Sequence, residues 1–248
     1  MEIIIRVDDF GFSEAVNLGV MKAYQSGLVK NIGLMSNMPY APQAAKWIQG
    51  EQVALGLHTN LILGFPCSDP KDIPSLADES GRLISSCMRR KQWAQGIDGF
   101  DYFDARRETE AQLDAFIKLV GRHPDYIDVH AVCTPSVTRA ISDAADAYGI
   151  AIQAHKADLR WKMIESAVNH AAFYALHRPY SEFFTSYLTY GAKANLVVFH
   201  PGYLDQDVLL QSSLTSERCF DLALLCDEGV KEFLSHHTLL SFKELPSS

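Results

Sequence analysis

An α/β fold, a single-domain (β/α) barrel of distorted TIM-like form spanning residues 1–248, is what this sequence predicts. Three observations point to it. Short apolar, β-rich runs alternate with amphipathic segments along the whole chain. Polar residues able to act as ligands stand at the carboxyl ends of several of those runs, the end where such barrels carry their sites. Finally, the turn after the first run reads Asp8-Asp9-Phe10-Gly11 where a dinucleotide fold needs a glycine-rich GxGxxG, which excludes that alternative.

The elements follow in order. Residues 3–7 (Ile-Ile-Ile-Arg-Val) form a first strand. Residues 14–26 place Val16, Val20, Ala23 and Tyr24 at helical spacing and stop at Gly27. A second strand runs from Leu28 to Met35, a short helix from Ala41 to Gln49, and a third strand from Val53 to Leu61, which contains His58. Residues 62–100 are rich in Pro, Gly, Asp and Ser, and a connection this long in a compact domain is usually functional. From Glu108 to Val120, Leu113, Phe116, Ile117 and Val120 share one helical face. Tyr126 to Val129 is a short strand ending at His130, Ser136 to Tyr148 a helix closed by Gly149, and Ile150 to Gln153 another strand. Residues 160–194 are helical in places. Asn195 to Phe199 is a strand ending at His200-Pro201-Gly202, Ser216 to Leu234 is helical, and Thr238 to Phe242 forms a final strand.

Composition narrows the function. With 248 residues, nearly half of them apolar, the chain can bury a sizeable core. A net charge of −8 argues against nucleic acid and anionic membranes as partners. Five cysteines with no CxxC pair fit reduced thiols in a cytoplasmic protein better than a disulfide framework. The first strand begins at once, leaving no room for a secretory leader, and no apolar run approaches the length of a membrane span.

The acidic pair carries the most information. Two carboxylates at the lip of a buried strand repel each other unless a cation or a proton sits between them. A helix N-cap accounts for one aspartate, not two. Together with Asp8 and Asp9, His58, His130 and His200 stand at or near strand ends, which a barrel brings to one face. One Asp and two His make a three-ligand metal set with positions left open for water and substrate, and the remaining Asp can act as a base. Such a set suits zinc, cobalt or manganese, whereas magnesium prefers oxygen. The other histidines are less apt: His123 lies in a turn, His170 and His177 fit a solvated helix face, His236-His237 follow a helix end, and His155 is a weaker pocket candidate. Cys133 has no base partner in the sequence, and no GxSxG elbow is present.

Read in order, these segments resemble the YdjC-like carbohydrate deacetylases, which include chitooligosaccharide deacetylases. Asp8-Asp9-Phe10-Gly11 is similar to the family's opening DDFG, and Gly56-Leu57-His58-Thr59-Asn60-Leu61 with Gly64 and Pro66 to its GLHxNLxxGxP segment. Pro74-Ser75-Leu76 with Gly81, Glu110-Ala111-Gln112-Leu113 with Phe116, and Gly121-Arg122-His123-Pro124-Asp125 leading to Asp128-Val129-His130 continue the likeness. His200-Pro201-Gly202-Tyr203 and Ser216-Glu217-Arg218 complete it. The resemblance implies metal-dependent removal of an N-acetyl group from an amino sugar. It also implies one divalent ion, magnesium included, on Asp9, His58 and His130, with Asp8 as base and His200 as general acid. It implies a small carbohydrate substrate, and a homodimer is compatible with it.

The cation near Asp8 is expected to hold that carboxyl down. Phe65, Trp93, Phe100, Tyr102 and Phe103 of the long loop are expected either to face the sugar or to anchor the loop. After His130, where the family carries further histidines before a proline, the chain reads Ala131-Val132-Cys133-Thr134-Pro135, predicting a smaller, less polar wall there. Among rival readings, a two-carboxylate glycoside hydrolase is disfavoured because adjacent residues of a strand point to opposite faces. A two-metal phosphoesterase lacks ligands. A metal-dependent hydrolase of another amide or ester, or a sugar-binding relative with weakened catalysis, stays open.

Overall fold

The computed structural model describes residues 1–156, 160–165 and 179–245. Six parallel strands lie side by side in the order β4-β3-β2-β1-β6-β5: β1 (Glu2–Phe10), β2 (Asn31–Leu34), β3 (Ala54–Thr59), β4 (Ile127–Val129), β5 (Lys162–Glu165) and β6 (Ala194–Phe199). A short β7 (Thr238–Leu239) pairs with Glu2 and Ile3, ahead of the point where β2 takes up β1 at Arg6. Parallel strands need crossover connections, and helices supply them: α1 (Glu14–Gln25), α2 (Ala41–Trp47), α3 (Ser86–Ala94), α4 (Tyr102–Val120), α5 (Pro135–Ala147), α6 (Ser181–Tyr187), α7 (Gln206–Gln211), α8 (Ser216–Leu225) and α9 (Glu228–Ser235). Among the described residues the strand path ends at β4 and β5, so the sheet is a parallel half-barrel.

Strand alternation sorts the side chains into two cores. Ile3, Ile5 and Val7 of β1 pack outward against the helices, whereas Ile4 joins Ala54, Tyr126, Leu196, Val198, Trp161 and Phe242 in an inner cluster. The Tyr126 and Phe242 rings lie 4.5 Å apart, with Trp161 against Phe242. Continuing the same inward face upward gives Arg6 and Asp8 on β1, His58 on β3, Asp128 and then His130 on and after β4, and His200 after β6. A charged layer therefore rests on an apolar plug.

Several expected elements change at their ends. The strand expected at Ile150–Gln153 is reduced to one bridge between Gln153 and Ile127. The helix expected over Ser216–Leu234 breaks at Cys226, because Asp227 turns to cap α9 through Val230 N. The helix expected from Glu108 starts six residues earlier, where Asp101 accepts the N–H groups of Phe103 and Asp104. Residues 62–100 contain a 3₁₀ turn (Pro70–Asp72), an Ala77–Leu83 bridge and α3. Buried Glu108 holds this loop through Cys67 N and Ser68 N, both at 2.9 Å. Buried Arg89 ties Gly99 O to Ser75 O and stacks 4.2 Å from the Phe100 ring. His170 and His177 lie outside the described residues. His237 Nδ1 donates to Phe233 O at 3.0 Å, placing a histidine on the last carbonyls of α9. No helix among the described residues is long and apolar enough to cross a membrane. All five cysteines are free.

Candidate metal centre

The site is built on a departure from strand alternation. Between Val7 and Phe10 the pairing of β1 with β2 slips, a bulge of the kind that re-aims side chains near sites. Within it Asp9 takes φ +69°, a left-handed conformation that Asp tolerates better than most residues and that stores strain on the order of 1–3 kcal/mol. The consequence is that Asp8 and Asp9, adjacent in sequence, both reach His58: Asp9 Oδ1 lies 3.3 Å from Nε2 and Asp8 Oδ2 lies 3.9 Å from Nδ1. The alternation argued from sequence fails here. Gly33 of β2 makes room, since a Cβ there would fall 2.8 Å from Asp8 Oδ1.

Three donors converge at the first apex. Asp9 Oδ1, His58 Nε2 and His130 Nδ1 form a triangle with sides of 3.0, 3.1 and 3.3 Å. Asp9 Oδ1 is buried and accepts no well-aligned hydrogen bond, although two imidazole nitrogens surround it. Metal–ligand bonds of about 2.0–2.2 Å set neighbouring donors of one ion about 3–3.5 Å apart, so the triangle fits a divalent cation. Burial works against the charged form of Asp9, yet His130 and Arg218 outweigh it and hold the carboxyl well below its ordinary range.

A second group, Asp8, His58 and Asp128, also converges. Here the chain supplies its own cation: Arg6 Nη2 lies 2.7 Å from Asp8 Oδ2 and 2.8 Å from Asp128 Oδ2. Asp128 Oδ2 also meets His58 Nδ1 at 3.0 Å, which orients the ring so that Nε2 faces Asp9. Burial disfavours charge on His58, but Asp128 and Asp8 outweigh it and raise its pKa well above the ordinary value. Burial, aided by Asp128, pushes Asp8 up to about 7 against the pull of Arg6. That rise is the work of the chain's own groups; the lowering expected of a cation beside Asp8 is a separate effect, exerted by a bound ion.

His200 follows β6. Its backbone N–H donates to Asp221 of α8 at 2.6 Å, and its Nδ1 is buried without a hydrogen-bond partner. Burial pushes its imidazole down to about 3. The turn that carries it packs closely on α1, for a Cβ on Gly19 would fall 2.4 Å from Gly202 Cα. All five residues expected from sequence, Asp8, Asp9, His58, His130 and His200, line one cavity of about 480 Å³. His155 lines it too, and burial lowers its pKa to about 4.

The loop aromatics do not line that cavity. Phe65 stacks with Arg82 and Phe100 is buried under Arg89, contacts that anchor the loop, while Tyr102, already on α4, bonds Asp143 of α5 at 2.6 Å; Trp93 and Phe103 are exposed. Phe12 supplies the aromatic ring in the wall instead. Ala131 and Cys133 do line the cavity, as the shortened motif predicts, and Val132 is buried. Burial raises the Cys133 thiol, whose Sγ lies 3.0 Å from Thr138 Oγ1. Sequence reasoning missed Arg6, Asp128 and Arg218. Arg6 could have been found as a cation two residues before Asp8 on the same strand face, and Asp128 as its counterpart two before His130.

Fold and site together define a class: a parallel α/β half-barrel with a carboxylate–imidazole cluster at its strand ends that could hold a metal ion. The family model of the YdjC-like proteins matches residues 2–236, and the chain belongs to that family. A carbohydrate deacetylase of Geobacillus stearothermophilus is 30% identical over 228 residues, covering 90% of this chain and 89% of that protein. Carbohydrate deacetylase 2 of Listeria innocua is 27% identical over 262 residues, 99% of each chain. The crystal structure of a candidate cellobiose-phosphate cleavage protein from Enterococcus faecalis V583 shares the fold, with a TM-score of 0.78 at 20% identity over 98% of this chain and 97% of that one.

Proposed function

We propose that this protein is a metal-dependent hydrolase that removes the N-acetyl group from an amino sugar or chitooligosaccharide. One observation carries the reading: a donor triangle fit for a divalent cation shares a single cavity with a buried carboxylate, Asp8, and a histidine, His200. The kinship with carbohydrate deacetylases supplies the substrate class.

Asp9, His58 and His130 would hold the ion, which when bound supplies Lewis acidity toward the acetamide oxygen and acidifies a water. Asp8 takes the proton of the attacking water, its carboxylate steered by Arg6. Asp128 fixes the His58 ring so that one nitrogen faces the ion. His200 starts neutral; the proton that Asp8 takes from the attacking water is passed on to it, and it delivers that proton to the nitrogen of the departing amine as the C–N bond breaks. The donor set of one carboxylate and two imidazoles favours zinc, cobalt or manganese over magnesium, although kinship admits magnesium.

The test is acetate release from N-acetylglucosamine, chitobiose and chitotriose with each of these metals, alongside metal content. Acetate that depends on both metal and Asp8 supports the reading. A metal-loaded protein that releases acetate from none of them moves the assignment to another amide or ester.

A further inference from the structure

We propose that Arg218 is a positioning residue that stands in as counter-cation for Asp9 and holds metal affinity down, so that the ion in this site is exchangeable. The inference rests on the metal-dependent reading above and concerns a residue that reading does not use.

Arg218 is buried on α8, and its Nη2 lies 2.7 Å from Asp9 Oδ2, the oxygen that faces away from the donor triangle. The guanidinium is itself seated firmly. Nε donates to Leu214 O at 3.1 Å, Nη2 also reaches Ser212 Oγ at 3.2 Å, and the group lies 5.3 Å from the Phe12 ring. A Cβ on Gly202 would come within 3.3 Å of Arg218 Cδ, so the turn after His200 is shaped to the arginine stem. Its Nη1 is buried without a hydrogen-bond partner. Arg218 therefore links Asp9 to the Ser212–Leu214 wall of the cavity and leaves Asp9 one oxygen, Oδ1, to offer an ion.

Two effects of this contact oppose each other. Fixing the ligand's geometry strengthens metal binding by about 10–100-fold, the usual worth of an outer partner. A guanidinium on the same carboxylate repels a divalent ion, and in a buried, weakly screened site this repulsion outweighs the gain from fixed geometry. Arginine also keeps its charge when buried, so it cannot relieve the repulsion by losing a proton. The Asp9 charge is satisfied in the metal-free protein, and an arriving ion must share that carboxylate. The ligand set with Arg218 then carries no net charge, where Asp9 alone would carry one negative charge.

The experiment compares wild type with Arg218→Met and Arg218→Lys, each purified with excess Mn²⁺. Dissociation constants come from chelator competition, and thermal unfolding is followed with and without the metal. Arg218→Met is expected to bind Mn²⁺ at least tenfold more tightly than wild type, with a lower metal-free Tm and a larger rise in Tm on loading. Arg218→Lys keeps the charge and should stay within about threefold of wild type. Arg218→Met protein soluble only with Mn²⁺ supports the inference, because the ion then replaces the lost cation. Equal or weaker binding by Arg218→Met overturns it; if that variant is recovered in neither condition, weaker binding by Arg218→Lys does so. Wild type that binds no divalent ion overturns both this inference and the reading beneath it, whereas tight Mn²⁺ binding without acetate release overturns only the substrate.

Discussion

Two clusters of the same residue types share one histidine, and they differ in what stands between the charges. On the Nδ1 side of His58, Asp8 and Asp128 are bridged by Arg6 at 2.7 and 2.8 Å, a closed arrangement whose charge the chain balances itself. On the Nε2 side, Asp9 Oδ1 and His130 Nδ1 lie 3.0 Å apart, and the arginine, Arg218, sits behind the carboxylate rather than between the donors. The difference teaches how proximity alone misleads. Both groups satisfy a distance test for a metal, but only the one not already filled by a guanidinium has room for a cation. His58 joins them: one cluster orients the ring, the other uses it.

Exchanging the roles of the clusters is the strongest challenge to this contrast. Replacing both His58 and His130 by alanine should abolish metal binding, since two of three donors go while the Arg6 cluster keeps its cation; elemental analysis of the purified double variant reads this directly. Full metal occupancy would move the site to Asp8 and Asp128. Asp8→Asn should leave the metal in place yet lower kcat by roughly 10²–10⁴, the worth of a general base, whereas Asp9→Asn should weaken metal affinity first. The opposite pattern in steady-state kinetics and metal titration would exchange the two aspartates.

Arg6→Met sharpens the contrast through stability. It leaves two buried carboxylates facing each other, so unfolding free energy should fall by about 3–5 kcal/mol in chemical denaturation. Asp128→Asn, which only loosens the His58 ring, should cost about 10–100-fold in metal affinity.

The smallest effect comes from outside both clusters. Asp98 accepts Thr134 Oγ1 at 2.8 Å and Ser136 N at 3.1 Å, clasping the long loop to the start of α5. Despite partial burial, which raises it, these bonds lower its pKa. A lowered carboxyl stabilises the fold above the unfolded value, near 4, and that gain is lost as pH falls through the folded one. Asp98→Asn should therefore cost about 1 kcal/mol at neutral pH, and the gap to wild type should close below about pH 4 in denaturation series, with metal affinity unchanged. A gap that widens on acidification would reverse the sign.

Much of the fold was legible because period 2 and period 3.6 are local properties. The inward set Ile4, Arg6 and Asp8 repeats at every second residue, as do Tyr126, Asp128 and His130, so a parallel sheet with ligands at its carboxyl ends could be read directly. Element ends were less legible. Asp101 and Asp227 are caps whose effect depends on where the chain arrives in space, and Gln153 makes one bridge in place of the expected strand because it meets β4 only at Ile127. The loop aromatics left two readings open for a related reason. A ring that buries itself under Arg89 and one that stacks on Arg82 look alike in sequence to rings that face a ligand.

By itself the sequence determined the alternation of strands and helices, the membership of Asp8, Asp9, His58, His130 and His200 in one strand-end set, and the shortened wall after His130. These follow from residue type and spacing, which need no partner to be read. Tertiary structure alone decided which carboxylate faces an imidazole pair and which faces an arginine. That choice depends on a bulge, on a left-handed Asp9, and on Arg218 arriving from 209 residues away. Charge pairing acts through space at a few ångströms, and no local pattern records which cation will lie within that distance once the chain has closed.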